Sequence, residues 1–81
     1  MLNSAEVESL LSKLCIDLGF CLPPEDEERL RDSPPNDVDA FTDEVFLAEG
    51  LNPEHAERHL YRRVREVIWE AFEKHFDAYE D

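Results

Sequence analysis

The sequence predicts an all-α protein, a compact irregular four-helix domain with three longer helices and one short acidic helix. Three observations carry this. Apolar residues recur at steps of three and four along three segments, no segment shows convincing strand alternation, and caps, prolines and two glycines fall at the segment ends. At 81 residues the chain makes one domain, residues 1–81, with one core and a thin stability margin. No linker, internal repeat or low-complexity tail divides it. Hydrophobic residues at 42% and aromatics at 10% are enough for a real core despite the charge.

The first helix is expected to start at Asn3, whose side chain can cap the end while Glu6 reaches back, with Leu2 and Val7 placed as a hydrophobic staple. Val7, Leu10, Leu11, Leu14 and Leu18 then share one face, and Gly19 supplies a left-handed stop. Phe20, Cys21 and Leu22 form a short apolar connector expected to be buried. Pro23-Pro24 opens a second, short helix whose first turn holds Glu25, Asp26, Glu27 and Glu28, where the helix dipole favours acid. Its apolar anchor is Leu30, and it should end at Asp32, before Ser33-Pro34-Pro35.

The third helix starts from Asn36 or Asp37 and carries Val38, Phe41, Val45 and Ala48 on one face, widened by Phe46 and Leu47. Gly50 should close it, with Leu51 making the apolar contact of a helix-ending motif. Asn52-Pro53-Glu54 signals a fourth and longest helix, with cap, proline at the first position and acid in the first turn. Its expected stripe is Ala56, Leu60, Val64, Val67, Ala71 and His75, running to about Phe76.

The formal net charge is −13, and it is uneven. Residues 1–54 hold 14 acids and 3 bases, whereas residues 55–81 hold 7 acids and 5 bases. Between Leu22 and Glu44 stand nine carboxylates and two arginines. A field of that sign repels phosphate, so neither nucleic acid nor an anionic membrane is an expected direct partner, and basic protein surfaces are. Solubility alone is the bland account of the same charge. The longest apolar run is far short of a membrane span. Cys15 and Cys21, without a disulfide-framework spacing or a signal-peptide pattern, read as two core-facing thiols in a cytoplasmic protein.

Motifs for chemistry are thin. EHAERH sets His55 and His59 four apart, a spacing that lets two helical imidazoles hold one metal, but Ala56 replaces the glutamate of a zinc-protease motif and no third ligand is nearby in sequence, Cys15 and Cys21 being the residues that could meet the pair in space. No metal is therefore expected. NDVDAFTDE repeats acids at Asp37, Asp39 and Asp43 like a calcium loop, yet lacks the turn glycine and has Ala48 at the twelfth position; helix capping by Asp37 is the better reading. The serines lack a glycine elbow, and no phosphate-cradling loop is present. Neither enzymatic activity nor a cofactor is expected.

LGFCLPPEDEERL followed by DVDAFTDEV resembles, over about 28 residues, the stretch of acyl carrier proteins where an acidic short helix leads into the last helix. The resemblance implies a carrier whose serine, in an Asp-Ser-Leu motif, bears a phosphopantetheine arm. Here Asn3-Ser4-Ala5 stands without the aspartate or the leucine, the first helix of that fold is missing, and a long extra helix follows. A carrier function is thus a distant third reading.

On the fourth helix Arg58, Arg62, Arg65, Trp69 and Phe76 fall along one line opposite Val67, leaving Trp69 among Arg62, Arg65, Glu66 and Glu73. An aromatic on a charged face has the composition of a binding hot spot; core burial of Trp69 is the plain alternative. The favoured expectation is a small acidic interaction module of the inhibitor, immunity or antitoxin type. It would occupy the basic groove of a nuclease or other nucleic-acid-binding protein through Glu25, Asp26, Glu27, Glu28, Asp37, Asp39, Asp43 and Glu44, with Trp69 beside them. The alternative is a structural domain that self-associates, as a homodimer for instance, through Trp69, Phe72, Phe76 and Tyr79.

Overall fold

The structure, a computed structural model, describes residues 2–80, with side chains as far as Glu73. It is all-α: α1 spans Ser4–Leu18, α2 Pro24–Asp32, α3 Val38–Ala48 and α4 Arg58–Glu80, and no strand occurs among the described residues. Consecutive helices pair, α1 with α2 and α3 with α4, and the two pairs meet where α1 packs on α4.

The ends of α1 are built from local chemistry. Asn3 Oδ1 accepts from the Glu6 N–H at 2.8 Å and Glu6 Oε1 accepts from the Asn3 N–H at 2.9 Å, a reciprocal capping box. Leu2 and Val7 are both buried, as a staple requires. At the other end Gly19 takes φ 74°, a conformation that costs a side-chain-bearing residue, and its N–H donates to the Cys15 carbonyl. The reversal turns Phe20 and Leu22 into the core.

Cys21 does not follow them. It is exposed, and it forms a disulfide with half-buried Cys15. The expectation of two core-facing thiols is therefore corrected. The Gly19 turn folds the connector back over the last turn of α1 and brings the two Cα atoms within 4.3 Å, outside the apolar interior.

α2 begins at Pro24 and ends at Asp32, with Leu30 its one buried residue. α3 is capped by Asp37, whose Oδ2 accepts from the Ala40 N–H at 3.0 Å. Its buried face is Val38, Phe41, Thr42, Val45 and Phe46. Thr42 hides its hydroxyl by donating to the Val38 carbonyl at 2.8 Å. Leu47, expected to widen that face, is exposed instead, one position past the buried Val45–Phe46 edge. Gly50 at φ 77° closes the helix, with Leu51 N–H on the Phe46 carbonyl and Gly50 N–H on that of Leu47, the two bonds of a Schellman motif. Leu51 itself is only partly covered, at 43% exposure.

The start of the last helix is also corrected. Asn52 Oδ1 does cap the Glu54 N–H at 2.9 Å, but Pro53–His55 is a single 3₁₀ turn, after which Ala56 is extended at ψ 149°. α4 begins only at Arg58 and continues to Glu80, beyond the expected end. Its buried line is Val64, Ile68 and Phe72, flanked by half-buried Leu60, Tyr61, Val67 and Ala71. The stripe is thus rotated from the expected one, because Tyr61 and Phe72 must meet the aromatic rings of α3. Tyr61 lies 5.2 Å from Phe46 and Phe72 lies 6.2 Å edge-on from Phe41, while Phe20 closes on Phe46 at 5.2 Å. The expected stripe position His75 has a side chain outside the described ones.

Candidate functional site

The nine residues singled out from the sequence divide into three groups. The first is internal. Arg29 reaches from α2 to α3, donating to Glu44 Oε2 at 2.7 Å and to Asp26 Oδ1 at 3.1 Å. The Glu44 bond is the main reason its guanidinium is held charged above its usual range. Arg65 on α4 donates through Nε to Asp39 Oδ1 at 2.6 Å, and the Tyr61 hydroxyl donates to Asp43 Oδ1 at 2.8 Å. Asp37 is the α3 cap. Four of the eight proposed docking carboxylates, Asp37, Asp39, Asp43 and Glu44, thus fasten helices or close a helix end, and a fifth, Asp26, pairs with Arg29 within α2.

The second group is the outer side of α2. Glu25 and Glu28 are exposed and Glu27 is half-buried, and none has a partner among the described residues. Asp32 joins them: Glu25, Glu28 and Asp32 are spaced three and four along α2 and form one row opposite buried Leu30. Asp32 is not among the residues expected from the sequence; its spacing of four from Glu28 is the signal that points to it. No cation among the described residues pairs with this row. Arg29 is turned to Glu44 and Asp26, and Arg31 is turned to Glu8 on α1 at 3.7 Å.

The third group is Trp69. It is 45% exposed, so it is no core residue, and the Arg65 guanidinium lies 5.7 Å from its ring centroid. Trp69 lines a groove of about 240 Å³ between the start of α3 and α4 with Val38 and Phe72, bounded by Asn36, Asp37 and Glu73. Phe72, expected in a self-association patch, is buried against Phe41. The other proposed members of that patch, Phe76 and Tyr79, lie outside the described side chains.

The histidine pair is not realised as a helical pair. His55 lies in the 3₁₀ turn and His59 in the first turn of α4, with extended Ala56 between them, and no metal-holding cluster occurs among the described residues. No described helix is long and apolar enough to cross a membrane. The fold and the surface together define an all-α domain with an unneutralised acidic helix and an aromatic groove. No protein-family model matches the chain, and no curated protein or solved structure matches it significantly.

Proposed function

We propose that this chain is a small acidic interaction module of the inhibitor, immunity or antitoxin type, docking on the basic groove of a nuclease or other nucleic-acid-binding protein. The observation behind this is the disposition of the α2 arginines. Both are paired at the surface with other carboxylates of the chain, Arg29 with Asp26 and Glu44 and Arg31 with Glu8, so the row Glu25, Glu28 and Asp32 presents negative charge every helical turn without a paired cation among the described residues. Such a row attracts a surface evolved to hold phosphates and accelerates association with it. The internal carboxylates add to the field at longer range, while their own hydrogen bonds keep the helices in place.

Tagged protein incubated with lysate of the native host at low salt should retain a basic nucleic-acid-binding protein that high salt releases, as identified by mass spectrometry. The triple variant Glu25→Lys, Glu28→Lys, Asp32→Lys, shown by circular dichroism to keep its helices, should lose that protein. Unchanged capture by the triple variant would sink the proposal. Retention of nothing except the protein itself at high salt would turn the assignment to a self-associating structural domain.

A further inference from the structure

We infer that the groove between the start of α3 and α4 receives an arginine side chain from the basic partner, seated against Trp69; the inference rests on the docking role proposed above. Trp69 is the only tryptophan. Arg65 lies 5.7 Å from its ring centroid and is itself tethered to Asp39 at 2.6 Å, so the indole is braced by its own helix before any partner arrives. The apolar lining comes from Val38, Phe72 and the indole, and the charged rim from Asp37 and Glu73; none of the described lining residues is cationic, and the cation beside the indole, Arg65, is already paired with Asp39. Asp37 gives one carboxylate oxygen to the Ala40 N–H, and its other oxygen has no hydrogen-bond partner among the described residues.

That combination selects its occupant. An apolar side chain would fill the groove but strip water from two carboxylates without replacing the lost hydrogen bonds. An acidic side chain would be repelled. A long side chain with an apolar stem and a cationic head satisfies both wall and rim. Guanidinium is favoured over ammonium, because its flat, weakly hydrated face stacks on indole while its edge donates to carboxylates. The groove and the α2 row are therefore separate contacts with the same class of partner, one specific and one electrostatic.

The emission of Trp69 reads the groove directly. Capped tetra-arginine added at low salt should change that emission saturably, and capped tetra-lysine should do so with affinity several-fold weaker. Trp69→Leu, at a half-exposed position that does not threaten folding, should weaken tetra-arginine binding about tenfold by calorimetry. Glu73→Gln should weaken it less. Calorimetric binding that leaves Trp69 emission unchanged, or that survives Trp69→Leu intact, would place the peptide elsewhere and overturn the groove while leaving the α2 docking role standing. Absence of any tetra-arginine binding overturns the groove as well. Loss of the α2 role shows differently: the triple α2 variant would keep its captured partner, while the tetra-arginine response of Trp69 persisted.

Discussion

The phenol of Tyr61 is half-buried against Phe46 and donates to Asp43, an acceptor already carrying negative charge. Burial first, then the hydrogen bond to Asp43, pushes its pKa up to about 12. The folded state thus binds this proton more tightly than the unfolded chain, in which tyrosine ionises near its ordinary value of 10.0. The resulting stability is complete below pH 10 and lost as pH rises from there to about 12. Tyr61→Phe should remove this alkaline loss and cost about 1 kcal/mol at neutral pH, measured by urea denaturation across pH. An unchanged alkaline slope in the variant would show that other groups cause it. At this scale the sequence showed which residues are acidic but not what they are for. Asp39, Asp43 and Glu44 meet Arg65, Tyr61 and Arg29 across separations of 26, 18 and 15 residues, and such distant pairing leaves no period to read.

Cys15 and Cys21 tie the last turn of α1 to the connector that carries Phe20 and Leu22 into the core. The loop they close is short, so the bond restrains the unfolded chain by only about 2 kcal/mol in the chain-entropy treatment. The double variant Cys15→Ser, Cys21→Ser should therefore stay folded, lose about that much in urea denaturation, and match the wild type measured under a dithiol reductant. If the variant and the oxidised protein unfolded at the same urea concentration, the bond would have no stabilising role. The elements differ in how far they could be read ahead. α1 was legible from end to end, since its capping box, three-four spacing and glycine stop are all local. The start of α4 was not. Asn52-Pro53-Glu54 does begin a helical turn, but the packing of Tyr61 on Phe46 sets where the long helix runs, and that contact lies on another element.

The whole molecule carries a formal net charge of −13, against a handful of exposed ion pairs among the described residues. Exposed pairs contribute at most about 1 kcal/mol each, while repulsion among the excess carboxylates acts over the entire surface. Added salt should screen repulsion more than attraction, so the melting temperature should rise between dilute buffer and about 0.5 M sodium chloride, followed by circular dichroism. A fall would mean that the ion pairs, Arg65 to Asp39 and Arg29 to Glu44 foremost, outweigh the net charge. The acidity was plain in composition, but not its division into carboxylates that fasten helices and carboxylates that face outward, because that depends on where Arg29 and Arg31 turn. The pairing of consecutive helices has a kinetic consequence. α1 finds α2 and α3 finds α4 by closing short stretches of chain, while the seam between α1 and α4, the Phe20–Phe46 ring contact and the Arg29–Glu44 bond join more distant parts. Pairing of neighbouring helices keeps much of the closure local, which lowers contact order and favours fast folding. The disulfide lies wholly inside the first pair, so its oxidation can follow the formation of α1 and its turn without waiting for the second pair.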